Sequence, residues 1–278
     1  MNNVAIKNDG LEILVSTNVI DNDEFIYKMF KNCSNFSNPV LIINQSKQSK
    51  KKINFAQKIF RIIDTDQTGL SNSRNLAINN SKGEICLLAD DDVIYTSDFI
   101  QIIINAFNEN KNADLITFQA INDLGKPFKD YPRIKKHNRR SISTINSFLI
   151  AFRRESVQMN DIKFDSRFGL GSTFETGDEY IFLRNALDKN LNIIHCPKVI
   201  LSHKSLSSGQ DVGKDKIIFA RAAIFYKYYG FISYIKLFHH ILLLLKINAI
   251  NFGEFFSKYK AGLKGIRKYK SIQWKVDL

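Results

Sequence analysis

The sequence predicts an α/β protein with a parallel sheet, followed by a helical C-terminal region. Three observations carry this. Short apolar runs alternate with segments of helical periodicity through the first 205 residues, most of those runs stop on small polar or charged residues, and from about Ser205 onward the strand signals cease. Domains at 1–205 and 206–278 follow from that change of character.

Leu11 to Val15 reads as a first strand closing on Ser16, Thr17 and Asn18, and Val40 to Ile43 as a second closing on Asn44, Gln45 and Ser46. Between them, residues 23–32 place Phe25, Ile26, Met29 and Phe30 at helical spacing. A third strand, Phe60 to Ile63, precedes Asp64. Thr68 and Gly69 then turn into a helix through Ile78. Ile85 to Ala89 is an apolar run that ends on three consecutive carboxylates, Asp90, Asp91 and Asp92. Like charges at a strand end must face solvent or a cation, because desolvated carboxylates without a partner are destabilising. Ligands of parallel α/β sheets bind beyond the carboxyl ends of the strands, so these carboxylates fall where a ligand belongs, beside Ser16, Thr17, Asn44 and Gln45.

A helix over 97–108 and a strand over 114–118 follow. The basic segment 130–140, with Arg133, Lys135, Lys136, Arg139 and Arg140, reads as a solvated mobile loop; its functional alternative is closure over a diphosphate or an anionic acceptor. Residues 147–152 return to strand character. Thr176 to Glu179 opens a helix, a short strand over 192–196 is stopped by Pro197, and Val199 to Leu201 leads to Ser202 and His203. Beyond 205, residues 214–247 are apolar helix interrupted by Gly230. The longest uninterrupted apolar run there, Ile241 to Leu245, is far short of the roughly 20 residues a transmembrane helix needs. Phe252, Phe255, Phe256, Tyr259, Leu263, Ile266 and Tyr269 recur at helical spacing among Lys258, Lys260, Lys264, Arg267, Lys268 and Lys270. That pattern fits a helix lying on an anionic membrane through residues 246–275, and equally one packed on its own domain.

The chain of 278 residues is 44% hydrophobic with a formal charge of +13, enough for a sizeable core and suited to anionic partners. Cys33, Cys86 and Cys196 are scattered, which excludes a disulfide framework or zinc-type spacing, and Met1 to Val4 starts no secretory signal. A cytoplasmic protein is expected.

Gly69 to Ile78, Gly83 and Glu84, and Leu87 to Asp92 resemble the donor-binding half of family 2 glycosyltransferases. Phe164 and Asp165 to Gly171, then Gly177, Asp178 and Glu179, and finally His203, are similar to that family's acceptor half in the same order. The resemblance covers about residues 10–205. It implies the GT-A fold, a Rossmann-like mixed, mainly parallel sheet flanked by helices. It further implies transfer of a sugar from a nucleotide-sugar to a hydroxyl of a glycan or lipid-linked acceptor, with inversion. The leaving diphosphate requires neutralisation, which Mg²⁺ or Mn²⁺ on carboxylate oxygens supplies. By resemblance Asp90 touches the ribose or reaches the metal through water, Asp91 is the variable middle position on the nucleotide side, and Asp92 and His203 ligate the metal. Ser16, Thr17, Asn44 and Arg74 contact the donor.

The acceptor proton needs a base. The family's acidic pair maps onto Asp178 and Glu179, with Glu179 the base. Thr176 with Glu179 is also a capping-box pattern, which would leave Asp178 for that role. The family's usual order is Glu-Asp, so the choice within the pair stays open. Surface polysaccharide assembly, with the enzyme peripheral at the inner face of the plasma membrane, follows from the resemblance and the basic tail; nucleic acid is not expected as a partner. Two alternatives remain: a sugar-1-phosphate nucleotidyltransferase, which would want a glycine- and lysine-rich loop where Ser16 to Val19 stand, and a non-catalytic basic module binding membrane or nucleic acid.

Overall fold

The structure, a computed structural model, describes residues 6–18, 24–46, 58–204 and 212–276. Met1 to Val4, Val19 and the expected boundary between 205 and 206 lie outside the described residues. The chain forms two compact units, one of Met1–Phe164 with Phe182–Ser205 and one of Asp165–Ile181 with Leu206–Leu278.

The first unit is built on one eight-stranded sheet. In chain order its elements are β1 (Leu11–Thr17), α1 (Glu24–Met29), β2 (Val40–Asn44), β3 (Phe60–Asp64), α2 (Leu70–Asn80), β4 (Ile85–Asp90), β5 (Ile94–Tyr95), α3 (Phe99–Glu109), β6 (Leu115–Asn122), β7 (Ile150–Arg153), α4 (Arg154–Met159), the part of α5 (Asp178–Asp188) from Phe182 onward, and β8 (Ile193–His203). The sheet order is β3-β2-β1-β4-β7-β6-β8-β5. β1, β2, β3 and β4 run parallel, as do β6 and β8, whereas β7 is antiparallel to both its neighbours and β5 to β8. The sheet is therefore mixed and mainly parallel.

β1 and β2 are buried along their whole length, as strands covered on both faces must be, which is why they read as continuous apolar runs. Glu12 is the exception in β1. Fully buried, it accepts hydrogen bonds from Arg61 Nη2 (2.7 Å) and from the backbone N–H groups of Lys82 and Gly83, which together replace its lost hydration. α3 turns Phe99, Ile103, Ile104 and Phe107 inward, and Phe30, Phe36, Tyr95 and Phe99 stack beside it.

Three local expectations change. Ser147–Leu149 is a 3-10 turn, so β7 starts only at Ile150; the turn lets Phe148 stack on His203 at 5.0 Å. Pro197 does not stop the strand. The pairing shifts from Thr117 opposite His195 to Gln119 opposite Val199, so Pro197 sits in a bulge where no ladder N–H is needed and β8 continues to His203. The basic segment is anchored rather than free along its length: His137 N–H donates to Ile193 O (2.8 Å), and His195 N–H to Lys135 O (2.9 Å). Beneath it His137 Nε2 and His195 Nδ1 both meet Thr117 Oγ1, at 2.8 and 3.0 Å.

In the second unit, Phe168 and Phe174 stack at 4.7 Å and share a core with Ile181, Ala220, Ala223 and Tyr269. Its helices are α6 (Asp215–Tyr229), α7 (Ser233–Lys246) and α8 (Phe255–Val276). By length and composition alone, Asp215–Lys246 is long and apolar enough to cross a membrane. Gly230, at φ 52°, and a 3-10 turn divide it into α6 and α7. In α8, a Cβ on Gly262 would meet Leu237 Cδ1 at 2.4 Å and one on Gly265 would meet the Phe219 carbonyl oxygen at 2.1 Å, so both glycines permit close helix packing. Ile266 and Tyr269 are buried and Tyr259 and Leu263 half-buried, which spends most of the apolar stripe of α8 on its own unit.

Candidate active site

Parallel register brings the polar strand ends level. Ser16 pairs with Asp90 across β1 and β4, Thr17 with Asn44 across β1 and β2, and Asn44 with Asp64 across β2 and β3. On the far side of the sheet, Asn122 of β6 pairs with His203 of β8. Ser16, Thr17 and Asn44 are buried, and each has a local partner. Ser73 Oγ donates to Ser16 Oγ (2.8 Å), Thr17 Oγ1 donates to Asp91 Oδ2 (2.5 Å), and Asn44 Nδ2 donates to Asp64 Oδ1 (2.7 Å).

The three consecutive carboxylates are held separately. Arg74, buried in α2 with its guanidinium 5.4 Å from the Phe164 ring centre, reaches Asp90 Oδ1 at 2.9 Å. Asp91 is held by Thr17; burial pushes its carboxyl above the ordinary range, helped by its two acidic neighbours and opposed by the Thr17 hydroxyl. Asp92 Oδ1 lies 3.3 Å from His203 Nε2, and the hydrogen bond from that imidazole holds Asp92 below the ordinary range against the effect of burial. Burial works to lower His203, but Asp92 and the Lys204 carbonyl outweigh it and raise the imidazole.

Sequence reasoning placed Asp90, Asp91, Asp92, His203, Arg74, Ser16, Thr17 and Asn44 at strand or helix ends, and all eight belong to this one unit. It missed Asp64 and Ser73. Asp178 and Glu179 start α5 in the second unit, Asp178 buried and Glu179 half-buried. Gly177 before them is at φ 87°, where a Cβ would meet Ile224 Cδ1 at 2.4 Å, so glycine is required to enter this helix. Nearby in that unit, Asp165 takes up Arg167 (2.6 Å) and Lys227 (3.1 Å), which offset its burial and leave its carboxyl low. Arg167 in turn covers the Tyr269 ring at 4.7 Å.

Asp92 and His203 fit a divalent cation. His203 Nδ1 lies 2.8 Å from the Lys204 carbonyl, which can only accept, so in the neutral ring Nε2 carries the lone pair and faces Asp92. No group of three or more His, Cys, Asp or Glu suited to a metal exists among the described residues. Asp92 and His203 would offer a divalent ion two protein donors, with the others left to a nucleotide that brings the ion with it.

The mixed, mainly parallel sheet flanked by helices is of the GT-A glycosyltransferase architecture. The glycosyl transferase family 2 profile matches residues 23–189, more than half of the chain, and the protein belongs to that family. No curated protein sequence matches it. Among solved structures, S. aureus TarS 1-349 in complex with UDP-GlcNAc is similar at a TM-score of 0.58 and 13% identity, covering 92% of this chain and 81% of that one. A mannosyltransferase from Pyrobaculum calidifontis in complex with GDP-Man and Mn²⁺ is similar at 0.53 and 14% identity, covering 78% of this chain and 63% of that one. The chain spans 65% of another TarS 1-349 structure and 39% of a longer TarS structure. At these identities the likeness concerns the fold.

Proposed function

We propose that this glycosyltransferase moves a sugar from a nucleotide-sugar to a hydroxyl of a glycan or lipid-linked acceptor, with inversion and with Mg²⁺ or Mn²⁺. The observation that carries the reading is the Asp92 and His203 pair standing level with the nucleotide-side groups Ser16, Thr17, Asn44 and Asp90. Asp92 and His203 would hold the cation, which when bound supplies neutralising charge to the departing diphosphate. Arg74 fixes Asp90 toward the ribose and adds a positive field of its own. The acceptor oxygen forms a bond to the anomeric carbon as the bond from that carbon to the diphosphate oxygen breaks. The acceptor proton passes to the carboxylate of Glu179 or Asp178, and a single displacement inverts the centre.

The +13 charge and helical second unit support a peripheral position at the inner face of the plasma membrane, with a role in surface polysaccharide assembly. The sequence assigned membrane contact to residues 246–275. The test is release of nucleoside diphosphate from a panel of UDP- and GDP-sugars with Mn²⁺, with and without EDTA. Chelation is expected to abolish turnover, and full activity in metal-free buffer overturns the mechanism.

A further inference from the structure

The sequence of α7 is apolar on more than one side, and the fold buries only one. Leu237, Ile241 and Leu244 enter the core of the helical unit together with Ile218, Ala222 and Ile266. Ile235, Phe238 and Leu242, three and four residues apart, form a second stripe that stays 71%, 47% and 43% exposed. Phe231 before the helix (80%) and Phe252 and Phe256 after it (83% and 81%) add to the uncovered apolar surface. Single exposed apolar side chains are ordinary; a stripe along one helix that continues from Phe238 through Phe255 (5.6 Å) to Phe256 (5.4 Å) marks an interaction surface.

The charge around these residues selects the occupant. Residues 212–276 contain 13 Lys and Arg and only two acidic residues. Both of those, Asp215 and Glu254, already face Lys258, at 2.9 and 3.6 Å. Between Phe231 and Phe252 stand Lys236 and Lys246 with no carboxylate at all. The patch therefore combines aromatic and aliphatic groups with cations that lack local counter-charges in the sequence around them.

We infer that the exposed face of α7, with Phe231, Phe252 and Phe256, seats on an anionic lipid surface. The apolar side chains enter the boundary between headgroups and acyl chains, and Lys236 and Lys246 meet lipid phosphates. A second copy of the chain suits this face less well, because self-complementary pairing sets like-charged lysines together. The inference rests on the membrane part of the proposed function and not on its catalytic part, and it moves the contact from the buried stripe of α8 to α7.

Flotation of the full chain with vesicles of phosphatidylcholine, alone or mixed with phosphatidylglycerol, tests it. The unaltered protein is expected to float with the mixed vesicles, and the Ile235→Ser, Phe238→Ser double variant to partition at least about tenfold less. Lys236→Glu with Lys246→Glu, a second variant that leaves the apolar stripe intact, is expected to lose about tenfold or more on mixed vesicles. Unchanged circular dichroism and melting establish that each variant is folded. If the unaltered protein floats and both folded variants float equally well, the assignment to α7 is wrong while membrane binding stands. If the unaltered protein floats with neither vesicle, both fail. Concentration-dependent dimerisation that the serine variant abolishes, without vesicle binding, identifies a self-association face and overturns the lipid assignment.

Discussion

Asp90, Asp91 and Asp92 differ in what holds them, and the difference ranks their contributions. Asp92 faces His203 through Oδ1 and is the carboxylate proposed to hold the cation, so asparagine there takes away the negative charge that such an ion needs. Asp92→Asn is expected to lower kcat/KM for sugar transfer at least about 100-fold. Asp91 accepts from Thr17 through one oxygen, which asparagine retains, so Asp91→Asn is expected to cost less than about tenfold. Steady-state kinetics with Mn²⁺ separates the two; equal losses would place Asp91 on the cation. A second residue-scale expectation concerns His137. Burial, reinforced by His195, depresses its imidazole to about 4 from 6.5, and burial lowers His195 as well. Between these values the unfolded chain takes up a proton that the folded chain refuses. The stability from this group is thus complete above about pH 6.5 and declines as pH falls toward about 4. Denaturant unfolding across that window should show a steeper acid decline for the unaltered protein than for His137→Gln, and identical slopes would refute the assignment.

At the scale of elements, the turn between α2 and β4 is tied to β1 through Glu12. A Cβ on Gly83 would lie 2.6 Å from Glu12 Cβ and 2.8 Å from the Ile85 carbonyl oxygen. Gly83→Ala is therefore expected to destabilise the first unit by about 1–3 kcal/mol through overpacking, with donor affinity at saturation little changed. A chemical denaturation midpoint equal to that of the unaltered protein would show that the strand shifts freely. Much of this architecture was legible in the sequence. Continuous apolar runs ending on polar residues gave β1, β2 and β4 and the level polar groups at their ends, because strands buried on both faces leave an unmistakable composition. β5 was not legible, since two residues carry no periodicity and its pairing to β8 comes from more than a hundred residues away. The continuity of β8 through Pro197 was hidden for a related reason: a proline reads locally as a stop, and only the bulge against β6 makes it tolerable. Asp64 was invisible as a site residue because its partner Asn44 is found by strand register rather than by sequence spacing.

At the scale of the whole molecule, the chain forms two compact units, with apolar clusters on the sheet and among α6, α7 and α8. Compact units with apolar clusters of their own are expected to unfold as separate cooperative steps. The candidate donor site residues Ser16, Thr17, Asn44, Arg74, Asp90, Asp91, Asp92 and His203 all belong to the first unit. A nucleoside diphosphate binding there with Mn²⁺ should stabilise that unit by about 2.7 kcal/mol at a free concentration 100 times its Kd. For a domain of this size that raises the transition by roughly 5–10 °C. Scanning calorimetry is expected to show two overlapping transitions, of which UDP or GDP with Mn²⁺ moves one. Asp92→Asn should remove most of that shift while leaving the second transition in place. A single transition moving as a whole would mean that the units unfold together, and no shift with either nucleotide would count against the donor site itself.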